Sequence, residues 1–295
     1  MSRLRMLLAA RTRVVIMGIL NRTPDSFSDG GFFTEEGAAR AHVETMLGEG
    51  AEIIDVGAES TRPGSEPVTD EEQIARLGSS IRDAARLGAI VSIDTTSPAV
   101  AERALADGAA VVNSTSLDAA AALGALCARH GAALVLMHGR GPMTSMPGYS
   151  AYPDDAYGDV VADVLREWTA AAERAIDAGL PREELVLDPG LGFAKNARHS
   201  LELVARMDEL CAAGFPVLVG PSRKSFLARA AASADPGVGA PPPEQRLGAT
   251  IAASLACAAR GAAILRVHDI APVRQALAFA AALDRPRGQE ERARD

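Results

Sequence analysis

Two aspartates, Asp94 and Asp188, each end a short apolar run: Ile90-Val91-Ser92-Ile93 before the first, Leu185-Val186-Leu187 before the second. A carboxylate accepts paired hydrogen bonds from an amidine-like N–H array. Two such acids facing into one barrel mouth, with Asn113 ending another run between them, suit a substrate that carries such an array. A helix cap or a salt bridge at the strand-to-helix turn is the simpler alternative for either acid alone. Arg62, Arg266 and His268 are cations near run ends. Arg266 and His268 are two apart and would point the same way on an extended strand. Together with Asn21 they could hold a phosphate or diphosphate and its Mg2+; the alternative for Arg266 is a pair with a barrel acid. Lys224, in Ser222-Arg223-Lys224-Ser225, could donate to a ring nitrogen or carbonyl while Ser225 reaches a second ligand. Phe27 and Phe193 are predicted in loops. Aromatics are only 4% of the chain, so exposed rings there would offer a packing surface for a flat ligand, with loop-to-core anchoring as the alternative.

The elements that must position these residues repeat along the chain. Eight apolar, mostly β-branched runs begin near Val14, Ile53, Ile90, Ala110, Leu134, Leu185, Val217 and Ile264, and nearly every one ends in a polar residue. Buried parallel strands read as continuous apolar runs, and alternation with helical stretches indicates βαβ units. Eight units predict an α/β fold, a single-domain (β/α)8 TIM barrel, whose catalytic groups sit at the C-terminal strand ends. The expected divisions are an N-terminal extension over 1–13, the barrel over 14–284 and a charged, disordered tail over 285–295. Ser97-Pro98 predicts a capped helix running to about Asp107. Asp154 to Ala178 and Glu244 to Arg260 are further helical stretches. The segments after the first two strands, Asn21 to Thr34 and Glu59 to Val68, are long and rich in Gly and Pro, as lids are. Asp235 to Pro243 reads as a plain mobile linker.

The 295 residues suit one barrel of about 250 residues with loops and tails. A net charge of −8 argues against nonspecific binding to nucleic acid or to a membrane surface. Cys127, Cys211 and Cys257 are scattered and read as reduced core thiols. No apolar run approaches the roughly 18 residues of a membrane helix, and the apolar piece Met6–Ala10 is too short for a signal-peptide core. A cytoplasmic protein is expected. Gly190-Leu191-Gly192 lacks the third glycine of a dinucleotide fingerprint, and no phosphate-binding Walker loop, Ser-His-Asp elbow or Cys-x-x-Cys is present. His42, His130 and His199 read as surface or satisfied core residues.

Assembled in order, these segments resemble the dihydropteroate synthase family. The resemblance is carried by Met17–Asn21 with Thr23–Gly31, Asp55-Val56-Gly57-Ala58-Glu59-Ser60-Thr61-Arg62-Pro63-Gly64, Ser92–Thr95, Met137-His138, Asp188–Lys195, Ser222–Ser225 and Arg266–Asp269. It implies a pterin-binding barrel, a sulfonamide target, that joins 6-hydroxymethyl-7,8-dihydropterin diphosphate to p-aminobenzoate. It implies pterin on Asp94, Asn113, Met137, Asp188, Lys224 and Arg266, and pyrophosphate on Asn21, Arg266 and His268. It further implies p-aminobenzoate beside Phe27, Thr61, Arg62, Pro63, Phe193, Lys224 and Ser225, with Mg2+ at Asn21 and Asp29. The catalytic set would be Asn21, Asp94, Asp188, Lys224, Arg266 and His268, in a homodimer paired through the last helices. A non-catalytic pterin-binding relative and a pterin-dependent methyltransferase subunit are the alternatives. Ser114, Arg22, Asn196, Ser200 and Pro221 depart from the family's usual residues. Because neighbours on a strand face opposite sides, Ser114 is expected to face the helix layer if Asn113 faces the ligand.

Overall fold

The computed structural model describes residues 1–22, 35–59, 68–141 and 152–283. Its eight strands are β1 (Val15–Asn21), β2 (Ile53–Gly57), β3 (Ile90–Asp94), β4 (Val111–Ser114), β5 (Ala133–Met137), β6 (Leu185–Asp188), β7 (Leu218–Val219) and β8 (Ile264–Val267). All pair in parallel, in the order β6-β5-β4-β3-β2-β1-β8-β7. A bridge between Leu187 and Val217, with the Leu187 N–H donating to the Pro216 carbonyl at 2.9 Å, brings β6 against β7 and closes the barrel. The expected (β/α)8 barrel is what the chain forms.

The described helices are α1 (Arg3–Ala10), α2 (Glu35–Glu49), α3 (Asp70–Leu77), α4 (Ser80–Arg86), α5 (Pro98–Ala106), α6 (Ala120–His130), α7 (Val160–Asp177), α8 (Ala197–Ala205), α9 (Met207–Cys211), α10 (Ser225–Ala234), α11 (Leu247–Ala259) and α12 (Ile270–Leu283). Helix α5 starts as expected: Ser97 accepts the Val100 N–H and Pro98 takes the first helical position. Helix α7 starts later than expected, because Asp159 accepts the Val161 and Ala162 N–H groups and fixes the start there. Helix α11 is likewise trimmed by a 3-10 turn over Pro243–Gln245. The stretch from Asp235 to Pro243 is more structured than a plain linker. It carries another 3-10 turn, Pro236–Val238, and Arg246 ties it down by donating to the carbonyls of Pro241 and Arg223 at 2.8 Å each.

Alternation along the strands divides the core into two layers. Ile16, Ile54, Val91, Val112, Leu134 and Leu187 face outward and pack under the helices. Val15, Met17, Ile53, Val111, Val135, Val186, Leu218 and Ile264 face inward and fill the lower barrel. The 1–13 segment closes the bottom of this inner cluster. Helix α1 lies there with Leu4 only 1% exposed against the inward residues. It is pinned by Ser2, whose N–H donates to Glu184 at 2.9 Å. One step further up the strands, the same inward parity carries Asp55, Ser92, Asp94, Asn113, Asp188 and Arg266.

Candidate active site

Parallel register sets Asp94 beside Asn113 and beside Gly57, and sets Asp188 beside Met137. Arg266 crosses the barrel mouth from β8. Its Nε donates to Asp55 Oδ2 at 2.7 Å and its Nη2 to Asp94 Oδ2 at 2.9 Å. Asn113 Nδ2 donates to the same Asp55 oxygen at 3.0 Å. Asp55 is fully buried. Among the described residues, its Oδ1 and the neighbouring buried Ser92 Oγ have no hydrogen-bond partner. A buried acceptor without a donor costs roughly 1–3 kcal/mol, and such atoms on the inner face of a barrel mouth suit a donor-rich guest.

The electrostatics point the same way. Burial pushes Asp94 up to about 7, opposed by Arg266 and assisted by Asp55, Glu59 and Asp188. Asp188 is raised by burial too, against the pull of Lys224 and of the Gly190 N–H that donates to it at 2.7 Å. Burial lowers Arg266, but Asp55 and Asp94 more than offset this and hold it charged. Lys224 is drawn down to about 8, chiefly by burial, with Asp188 opposing. Two carboxylates raised by burial and a lysine lowered by it, close enough to act on one another, mark a candidate functional site.

Lys224 stands at the start of α10 and donates to the Leu191 carbonyl at 2.7 Å, its ammonium 4.4 Å from the centre of the Phe193 ring. Phe193 is therefore not the exposed ring expected from the sequence. It is 6% exposed, with the lysine over its face. Ser225 opens the same helix. Arg223 takes a left-handed backbone with φ of 59° and pairs with Asp269 at 2.6 Å. That conformation is costly for a residue with a side chain and tends to persist at functional turns.

The expected pairing of Arg266 with His268 as two cations is corrected. Strand β8 stops at Val267, and His268 turns to Ser222, its Nδ1 lying 3.0 Å from Oγ. Desolvation in the crowded mouth, then Arg266 and Arg223, push its pKa below the ordinary value, so the imidazole is neutral at pH 7. Arg266 meanwhile has two of its three nitrogens engaged by acids, which is the alternative the sequence left open. Asn21 ends β1 exposed at the rim. Phe27, Asp29, Thr61, Arg62 and Pro63 lie outside the described residues.

Sequence reasoning assigned no role to Asp55 and Ser92. Their signal was parity: Ser92 is two before Asp94 on one strand, and Asp55 is its register partner on the next. Four of the five departures have structural roles. Ser114 shares the outward parity of Val112, and its Oγ accepts the Ser116 N–H at 3.3 Å and donates to the Ser116 carbonyl at 3.0 Å. Arg22 donates to the carbonyls of Gly57 and Arg76, through its backbone N–H and Nε, at 2.7 and 3.1 Å. Asn196 caps α8 in a capping box with His199, and Ser200 Oγ accepts the Gly192 N–H at 3.1 Å. His130 bonds Glu102 at 2.8 Å on the surface.

Residues 17–268 match the model of the pterin binding enzyme family. The dihydropteroate synthase of Mycobacterium leprae (strain TN) is 43% identical over 258 residues, 87% of this chain and 89% of that one. The crystal structure of the Yersinia pestis dihydropteroate synthase with a sulfonamide drug superposes with a TM-score of 0.80 at 34% identity, covering 94% of this chain and 95% of that one. The Thermus thermophilus dihydropteroate synthase in complex with 4-aminobenzoate gives 0.78 at 40% identity, covering 92% and 95%. The chain belongs to the pterin-binding enzyme family. Within that family it stands with the dihydropteroate synthases, transferases of folate biosynthesis.

Proposed function

We propose that the barrel mouth joins 6-hydroxymethyl-7,8-dihydropterin diphosphate to p-aminobenzoate, giving 7,8-dihydropteroate and pyrophosphate. The observation that carries this reading is the set of inward polar groups on β2, β3, β4 and β6: acceptors at Asp55, Asp94 and Asp188, beside the amide of Asn113. They match the donor and acceptor edge of a pterin, and Met137 and Arg266 would flank the ring. Asn21, Arg266 and neutral His268 would meet the diphosphate, Arg266 as the fixed charge and His268 as an N–H donor. Lys224 would stand between the two substrates, donating to the pterin ring on one side and facing p-aminobenzoate with Phe193 and Ser225 on the other, with Phe27, Thr61, Arg62 and Pro63 contributed by the two loops.

The rim fits Mg2+ only as a hard cation with few protein ligands. The Asn21 carbonyl is an exposed oxygen donor, Asp29 would be the second, and among the described residues no cluster of His, Cys, Asp or Glu forms a cage. Bound there, Mg2+ would supply charge neutralisation on the diphosphate. The protein's own part is to bind and orient. Arg266 stabilises charge on the departing oxygens, while Asp188 and Asp94 favour positive charge on the ring. The bond from the methylene carbon to the diphosphate oxygen breaks, and its electron pair leaves with pyrophosphate. The amine of p-aminobenzoate then bonds that carbon and loses a proton. This dissociative order requires water to be excluded from the mouth.

Exposed Phe279 and Leu283 on α12 support pairing of two copies through α11 and α12. No described helix is long and apolar enough to cross a membrane, consistent with work in the cytoplasm. The test is pyrophosphate release from the pterin diphosphate with and without p-aminobenzoate, and with Mg2+ chelated. Release that depends on both supports the reading; tight pterin binding with no release under any condition favours a non-catalytic relative.

A further inference from the structure

The loop that follows β6, residues 189–196, supplies the Leu191 carbonyl to Lys224 and the Phe193 ring beneath it. The loop is not relaxed. Ala194 has φ of 47°, and it and Arg223 are the only residues other than glycine with positive φ among those described. A Cβ at Gly190 would come within 2.0 Å of the His138 carbonyl oxygen. A backbone held in a sparsely populated region persists only where its surroundings over-determine it.

Those surroundings are a chain of polar side chains that the proposed chemistry does not use. Lys195 is fully buried. Its Nζ donates to the Phe193 carbonyl at 3.0 Å and the His138 carbonyl at 3.2 Å and lies 2.9 Å from His138 Nδ1, while burial draws the amine down to about 7, with Asp188 opposing. His138, also fully buried, then presents Nε2–H to Glu167 on α7 at 3.0 Å. Burial pushes this imidazole down to about 4, so it is neutral, as that tautomer requires. Hydrogen bonds from His138 and Arg140 hold Glu167 well below the usual carboxylate range. Arg140 pairs with Glu167 and lies 3.9 Å over the Tyr157 ring, whose hydroxyl donates to the Ala194 carbonyl at 2.9 Å. The carbonyls on both sides of the strained Ala194 peptide are thus gripped from one connected set of side chains.

We infer that Lys195, through His138 and Glu167, is a positioning residue that fixes the β6 loop so that Phe193 and the Leu191 carbonyl hold Lys224 at the p-aminobenzoate side of the pocket. The inference rests on the reading of that pocket given above. Apart from Lys224, the pterin side stands on strands and depends less on the loop, whereas p-aminobenzoate would meet both Lys224 and the loop's own Phe193, so the two substrates should respond to different degrees. Lys195→Met and His138→Leu should raise KM for p-aminobenzoate at least fivefold more than KM for the pterin diphosphate. His138→Asn, which keeps an acceptor near the Nδ1 position, should restore KM for p-aminobenzoate to within threefold of the parent.

Equal rises in both KM values, no rise, or His138→Asn behaving like His138→Leu would overturn the inference. Where the buried variants fail to fold, Glu167→Gln decides, because its side chain is partly solvent-exposed. Backbone amide exchange over residues 189–196 should then quicken while exchange in α5 stays unchanged; unchanged exchange in the loop overturns the inference. That measurement needs no substrate. A parent protein that fails to turn over the two substrates would therefore count against the proposed function and not against the loop strut.

Discussion

The lower and upper halves of the barrel interior are built on the same strands and differ in every respect that matters for function. The lower half is Leu4, Val15, Met17, Ile53, Val111, Val135, Val186, Leu218 and Ile264, closed by α1. The upper half, one inward position higher, is Asp55, Ser92, Asp94, Asn113, Asp188 and Arg266, with two buried oxygens lacking partners among the described residues. Burying an aliphatic side chain contributes about 1.5–3 kcal/mol, whereas the upper half carries raised carboxylates that oppose folding. The lower half therefore stabilises a frame in which the upper half can carry buried polar groups that oppose folding. Holding the frame and building the site are separable tasks on one strand, as barrel enzymes in general divide them.

Substitutions should separate the two halves. Arg266→Met leaves Asp55 and Asp94 buried without their cation; breaking a buried pair costs about 3–5 kcal/mol. Both urea stability and turnover should fall, turnover beyond detection in a steady-state assay. Retention of either would show that the acids find other partners. Leu4→Ala should lower stability by about 2–3 kcal/mol, within the range for a buried leucine, and leave both KM values and kcat unchanged. A change in KM would mean that the lower half communicates with the mouth.

A smaller effect follows from Asp94. Its pKa of about 7 in the folded protein lies above the unfolded value. The folded state thus binds a proton that the unfolded chain releases between about pH 4 and about pH 7. This contribution to stability is present at the acid end and declines as pH rises through that window. A pterin that donates to the carboxylate anion should gain affinity over the same range. Titration calorimetry at about pH 6 and about pH 8 should show tighter pterin binding at the higher pH. Asp94→Asn should bind weakly with no such slope; a slope that survives the substitution would point to another group. Smallest of all, Ser114→Asp should change kcat/KM by less than about tenfold, or roughly 1.4 kcal/mol. Ser114 already supplies the turn after β4 with the acceptor an aspartate would supply. A larger gain would mean that this residue acts on the pocket.

Much of this was written in local sequence. The eight apolar runs announced the barrel because a parallel strand buried on both faces needs no alternation. Asp94, Asn113 and Asp188 announced the mouth because they end those runs. Asp55 and Ser92 were harder to read: their roles depend on which neighbouring strand lies beside them, a long-range fact of register. Phe193 was misplaced because an aromatic in a Gly-rich loop looks exposed until Lys224, 31 residues later in sequence, is seen to lie over it. His268 looked like a cation because its type and spacing say nothing of Ser222, Arg223 or the end of β8. The loops after β1 and β2 carried specific motifs, yet Phe27, Asp29, Thr61, Arg62 and Pro63 fall outside the described residues.

The central claim is that inward carboxylates of the upper half hold the pterin. Calorimetric titration of the pterin diphosphate into Asp188→Asn tests it most directly. Asp188 is buried and raised in pKa, and an asparagine keeps the Oδ1 acceptor for the Gly190 N–H, so the variant should melt at or above the parent temperature. A carboxylate accepting charge-assisted hydrogen bonds contributes about 1.5–3 kcal/mol, so affinity should fall at least about tenfold. Unchanged affinity in a folded Asp188→Asn protein would remove Asp188 from the site and contradict the account.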